Sequence, residues 1–178
     1  MSTTPRLPSA VAGRPADFAT IMAHRPDLGE GFWNLYGEVM ARGVVDQVLK
    51  ETVRLRNARV TGCGFCRNVR YSMAREDGLT EDRAMMIDDG YLDSELDDRQ
   101  KLVLRYTDVF LTRPADLTPE LAAEMSVAFT PEEIVEITMA AALYLGMAKP
   151  LIALGTEPEQ MDVTVLPTPD PGLNLLAI

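Results

Sequence analysis

The sequence predicts an all-α domain, and three observations lead there. Apolar residues recur at helical spacing through almost the whole interior of the chain, capping residues and glycines bracket those runs, and no strand–turn–strand pattern interrupts them. A chain of 178 residues suits one domain of ordinary size. Hydrophobic residues form 47% of it and charged residues 25%, close to the average for folded soluble proteins, which argues against wholesale disorder.

Residues 1–17 are expected to form a flexible N-terminal segment, because Pro5, Pro8 and Pro15 punctuate it. The helical domain then spans 18–163. Phe32, Leu35, Tyr36, Val39 and Met40 share one helical face, with Asp27 as a candidate cap ahead of them and Gly43 behind. Val45, Leu49, Thr52, Val53 and Val60 mark a second helix. Cys66, Val69 and Met73 mark a third, which Gly78 ends by accepting a left-handed conformation. Thr80 caps a short helix that stops near Gly90. Ser94 followed by Asp97 resembles a capping box and opens a long helix through Leu96, Val103, Tyr106, Val109 and Phe110, closed before Pro114. Thr118-Pro119 and Thr130-Pro131 each place proline at a first helical position, where its missing N–H does no harm. Glu133 adds a reciprocal cap to the last helix, which runs through Ile134, Ile137, Ala141 and Leu145 towards Pro150. Pro167, Pro169 and Pro171 break up a tail, 164–178, whose apolar end from Leu173 to Ile178 is expected to dock on a neighbour.

Lys and Arg number 17 against 27 Asp and Glu, a net charge of −10 that repels nucleic acid and anionic membranes. The uncharged stretch Ile137 to Ala148 stops at Lys149 and Pro150, short of the about 20 apolar residues a membrane span needs. The N-terminus lacks the apolar core of a secretory signal. The expectation is a cytoplasmic protein with neither a nucleic-acid nor a membrane partner.

The two cysteines, Cys63 and Cys66, form a C-x-x-C at a helix start. Unpaired N–H groups and the macrodipole favour a thiolate there, and Arg70, four residues past Cys66, is expected on the same helical face as that sulfur. A zinc site would need two further ligands, and the one histidine, His24, is distant in sequence. A thioredoxin-type site wants a strand feeding the helix. Two small buried thiols that never react are the plain reading. Elsewhere His24 reads as a capping or interface residue, Phe32, Trp33 and Tyr36 as core or subunit contact, and the ten methionines as gap-fillers.

The run Lys50-Glu51-Thr52-Val53-Arg54-Leu55-Arg56, then Cys63 and Cys66, then Ala74 to Gly78-Leu79-Thr80 resembles the core motif of the alkylhydroperoxidase D-like superfamily, which includes the carboxymuconolactone decarboxylases. His24-Arg25-Pro26 and the stretch Phe129 to Glu136 fit its flanks, so the resemblance covers residues 18–160. It implies an all-helical domain assembling as a homo-oligomer, a trimer or hexamer. It also implies that Cys66 attacks a hydroperoxide, Cys63 closes the disulfide with it, and Glu51 belongs to the proton relay. The resemblance further implies a lipoyl-bearing or thioredoxin-like reductant that resets the pair, and neither a cofactor nor a metal is expected. The family histidine falls at Arg70 here, and the histidine that some members carry between the cysteines falls at Phe65. Arginine stabilises a thiolate but does not shuttle a proton near neutral pH. The expected function is a cysteine-dependent peroxidase or thiol–disulfide oxidoreductase acting on organic hydroperoxides, with Cys66, Cys63, Glu51 and Arg70 as its site. The alternatives are a non-redox decarboxylase or isomerase acting on a small cyclic acid, and a non-catalytic oligomeric binding protein with inert thiols.

Overall fold

The computed structural model describes residues 4–172. In chain order its helices are α1 (Phe18–Met22), α2 (Pro26–Arg42), α3 (Gln47–Thr61), α4 (Gly64–Asn68), α5 (Ser72–Glu76), α6 (Glu81–Met85), α7 (Asp98–Thr112), α8 (Pro119–Ala128) and α9 (Pro131–Ala153). Two short strands, β1 (Val69–Tyr71) and β2 (Thr164–Leu166), pair with each other.

Helix α3 is the central element, packed most extensively against α9 and α7. Eleven of its 15 residues are buried, and seven of those carry polar side chains. A buried polar group left without a partner costs about 1–3 kcal/mol, so these side chains reach partners. Gln47 Nε2 donates to the Met40 carbonyl at 2.8 Å, and Lys50 Nζ lies 3.1 Å from Glu136. Thr52 Oγ1 accepts from Gln100 at 3.2 Å. Arg56 bridges Asp89 and Asp108, and Asn57 Nδ2 donates to Ala141 O at 3.3 Å. The helix starts where Asp46 accepts the Leu49 N–H at 2.9 Å, and it ends at Gly62, whose φ of 73° favours glycine.

The expected starts at Thr80, Thr118 and Thr130 are side-chain caps in the structure, and Thr130 and Glu133 form a reciprocal box. Two other caps shift. Asp27 lies inside the first turn of α2, behind Pro26, and its carboxylate pairs with Arg25 at 2.8 Å. The box that opens α7 is Asp97 with Gln100, which supplies the amide the motif favours, while Ser94 donates to Tyr91 O. Helix α9 runs through Pro150 to Ala153, because the helix ends within a turn and Leu154 N–H still reaches Pro150 O at 2.8 Å. Among the described residues α9 is the one helix long and apolar enough to cross a membrane; here it forms the core against α3.

The expected third helix is not continuous: it is broken into α4, β1 and α5. Val69 and Tyr71 are strand-favouring residues. The helical hydrogen bonds are also displaced by side chains: Arg54 takes the carbonyls of Cys66 and Val69, and Glu51 takes the Tyr71 N–H. Strand β2 then pairs in parallel, Val69 with Thr164, Arg70 with Val165 and Tyr71 with Leu166. This pair is the one sheet among the described residues of a fold that is otherwise helical.

Both flanking segments touch the domain. Arg6 N–H donates to Leu154 O at 2.9 Å, and Ala10 N–H to Thr20 O at 3.0 Å. Beyond β2, Thr168 accepts the Met73 N–H at 3.0 Å, and Gly172 N–H reaches Asn34 Oδ1 at 2.9 Å. A Cβ on Gly37 would collide with the backbone of Asp170 and Pro171, so the tail crosses α2 where only glycine leaves room. The apolar end from Leu173 to Ile178, expected to dock on a neighbour, lies outside the described residues.

Candidate active site

Gly62 turns the chain out of α3, and Cys63 becomes the N-cap of α4, its sulfur accepting the Cys66 N–H at 3.3 Å. This short turn brings the two sulfurs to 2.7 Å, with both cysteines free and buried. The Cys63 thiol donates to Cys66. That hydrogen bond draws the Cys66 thiol below the ordinary thiol range against the opposing effect of burial, and the Arg54 charge adds to it. The same hydrogen bond, with burial, pushes the Cys63 thiol well up. The pair is therefore polarised, with ionisation favoured at Cys66 and disfavoured at Cys63.

Arg54 is the cation of the site. Its Nη1 donates to Cys66 O at 2.7 Å, its Nη2 to Val69 O at 2.5 Å, and its guanidinium lies over the Tyr71 ring, 4.9 Å from the centroid. Burial works against its charge, and Glu51 more than offsets this. Glu51 is fully buried, and both its oxygens are engaged: Oε1 by the Tyr71 N–H at 2.6 Å and Arg54 Nη2 at 3.1 Å, Oε2 by Arg54 Nε. Beside them Tyr36 and Tyr71 bring their hydroxyls to 3.2 Å. Burial pushes Tyr71 up to about 12, and Tyr36 and Tyr144 well above the usual phenol range. A pocket of about 10 Å³, room for about one water, reaches Cys66 between Tyr36, Arg54, Asn57, Phe65, Tyr71 and Tyr144.

Of the four residues read from the sequence, Cys63 and Cys66 meet directly, and Glu51 is joined to Cys66 through Arg54. Arg70 is elsewhere engaged, which corrects the expectation that it shares the face of Cys66. Because α4 stops at Asn68, Arg70 lies on β1, paired with Glu81 at 2.6 Å and donating to Arg67 O and Val69 O. Two residues were missed. Arg54 stood within the quoted motif, three positions after Glu51, and that spacing on a helix was its signal. Glu157, whose Oε1 accepts the Gly64 N–H at 2.6 Å, lies 93 residues away and had none. His24 meets Pro8 O at 2.9 Å, and among the described residues no three His, Cys, Asp or Glu side chains cluster to hold a metal ion.

Residues 26–102 match the model of the Carboxymuconolactone decarboxylase family. Two curated proteins from two strains of Mycobacterium tuberculosis, the uncharacterized proteins MT2376 and Rv2313c, are each 32% identical over 143 residues, 75% of this chain. The chain spans about half the length of these relatives, 50%. Among solved structures, ATU0492 from Agrobacterium tumefaciens superposes with a TM-score of 0.67 at 19% identity, covering 82% of this chain and 100% of that one. An alkylhydroperoxidase AhpD core from Ralstonia eutropha gives a TM-score of 0.68 at 18% identity, covering 84% of this chain and 80% of that one. At these identities the likeness is one of fold.

Proposed function

We propose that this chain, which belongs to the alkylhydroperoxidase D-like superfamily that includes the carboxymuconolactone decarboxylases, is a cysteine-dependent peroxidase or thiol–disulfide oxidoreductase acting on organic hydroperoxides. The observation that carries this reading is the polarised thiol pair, two free sulfurs 2.7 Å apart with Arg54 beside the outer one. The Cys66 thiolate attacks the terminal oxygen of the hydroperoxide: an S–O bond forms, the O–O bond breaks, and the alkoxide leaves and takes a proton from water. Cys63 then displaces hydroxide from Cys66 to close the disulfide. Arg54, locked by Glu51, supplies the positive charge and does so without titrating. The pocket that reaches Cys66 gives a small oxidant a route to its sulfur, and the pair of adjacent thiols favours redox chemistry over decarboxylation. A lipoyl-bearing or thioredoxin-like protein fits as the reductant. Assembly as a trimer or hexamer fits the exposed apolar residues Leu28, Leu35, Val127 and Val135.

The test counts free thiols in the native protein before and after a slight excess of cumene hydroperoxide. Both thiols are expected to disappear and to return with a dithiol, and Cys66→Ser is expected to abolish peroxide consumption. Thiols that persist, or consumption unchanged by Cys66→Ser, would sink the reading.

A further inference from the structure

Glu157 stands in the connection between α9 and β2 and is 5% exposed. Its Oε1 accepts the Gly64 N–H at 2.6 Å, at the turn between the two cysteines, while Oε2 is buried with no hydrogen-bond partner. A buried carboxylate oxygen without a donor is unfavourable, and a fold keeps such a group where it has work to do. Its negative charge acts on both thiols, against ionisation of each. The other carboxylate of the site, Glu51, has no such vacancy, since Arg54 and the Tyr71 N–H take up both of its oxygens. Arg70 is held by Glu81 and two backbone carbonyls.

We propose that Glu157 serves the disulfide-closing step, fixing the cysteine turn through Oε1 and taking the Cys63 proton through Oε2. This rests on the peroxidase reading above. Once Cys66 is a sulfenic acid, Cys63 gives its proton to Glu157 and its sulfur forms the S–S bond while the S–O bond of Cys66 breaks. The departing hydroxide takes the proton back from Glu157 and leaves as water. Over the cycle the two sulfurs lose two electrons, the peroxide gains them, and Glu157 ends as it began. It accounts for a relay at a site where the family histidine position is occupied by an arginine engaged elsewhere.

Wild-type, Glu157→Gln and Glu157→Asp proteins are mixed with equimolar cumene hydroperoxide across a range of pH. Cys66 sulfenic acid, trapped with dimedone, and the disulfide are followed in time by mass spectrometry. Glutamine keeps the Gly64 acceptor and removes the proton acceptor; aspartate keeps the carboxylate. In Glu157→Gln, Cys66 is expected to oxidise at least as fast as in wild type, while closure slows about 100-fold and sulfenic acid accumulates. Glu157→Asp should close at an intermediate rate. Wild-type closure should slow in acid, and this limb should be missing from Glu157→Gln. The charged groups acting on the thiols are Arg54 from α3, which keeps its charge throughout, and Glu157, while Glu51 is tied to Arg54. Closure in Glu157→Gln at the wild-type rate and pH profile overturns the role of Glu157 and leaves the peroxidase reading intact. No oxidation of Cys66 in wild type overturns that reading and this inference together. Should Glu157→Gln not fold, wild-type closure decides: a flat acid profile overturns the proposal, and an acid limb that Glu157→Asp shifts supports it.

Discussion

Arg54 Nη1 donates to the carbonyl of Cys66 at 2.7 Å, twelve residues along the chain and across the turn that separates α3 from α4. This contact places a permanent charge beside the thiol. A histidine there would lose its charge above pH ~6.5, whereas a guanidinium holds it at every pH the protein meets. Arg54 therefore favours ionisation of Cys66 over a broad pH range, and in the proposed reaction the proton traffic falls to other groups.

Replacing Glu51 and Arg54 together by methionine removes the charge without stranding either ion of the pair, while the Tyr71 N–H and the Cys66 and Val69 carbonyls lose their side-chain partners. The Cys66 thiol is then expected to titrate higher, and its alkylation by iodoacetamide at neutral pH to slow by about 3–10-fold, since one pKa unit is worth about 1.4 kcal/mol. Arg70→Met should leave alkylation within about twofold, because Arg70 is engaged by Glu81. Equal slowing in both proteins would contradict the assignment of Arg54 as the cation of the site.

Removing one member of the buried pair should behave quite differently. Glu51→Ala leaves the Arg54 charge uncompensated in the core and is expected to destabilise the fold by about 3–5 kcal/mol. The double methionine protein should be more stable than this single variant. Urea unfolding of the three proteins decides it, and a double variant less stable than Glu51→Ala would contradict the pairing.

Tyr71 gives the fold an alkaline limit. In the unfolded chain it ionises near pH ~10, while burial holds it to about 12 in the native state. The folded state keeps the proton longer, so this contribution is complete below pH ~10 and is lost as pH rises through 12, about 2–3 kcal/mol in all. Tyr71→Phe should lessen the slope of unfolding free energy against pH between those values. An unchanged slope would mean Tyr71 ionises alike in both states.

Gly37→Ala puts a methyl group into the backbone of Asp170 and Pro171. A loss of about 1–3 kcal/mol is expected, with faster hydrogen exchange at the Met73 amide, which is bonded to Thr168 farther up the same tail. Protection equal to wild type would show that the tail is held independently of this crossing.

The helices were legible where local signals set them. Thr130 with Glu133, Thr118 before Pro119 and Thr80 at the start of α6 are nearest-neighbour devices, visible in a single sequence. The break at Val69 was not, because it depends on Arg54 and Glu51 reaching from another helix and on β2, 95 residues away. The Arg70 expectation fell with it, since it assumed one uninterrupted helix. α3 itself reads as weakly amphipathic because seven of its buried residues are polar, and only their tertiary partners make that burial tolerable. The cysteines and Glu51 stood out by spacing; Glu157 belongs to the site through tertiary proximity alone.

The pairing of Val69 with Thr164 also sets an order of assembly. On a ribosome adding about 5–20 residues per second, Cys63 and Cys66 emerge well before Glu157 and β2 exist to close over them. During that interval the nascent chain carries its thiols without the carboxylate at Gly64 or the strand beside Val69. Long-range pairings of this kind form late, after the loop entropy they demand is offset by other contacts. The proposed thiol chemistry is thus completed by the last part of the fold to form, and a chain released before residue 157 would hold two cysteines and Arg54 but not the carboxylate at their turn.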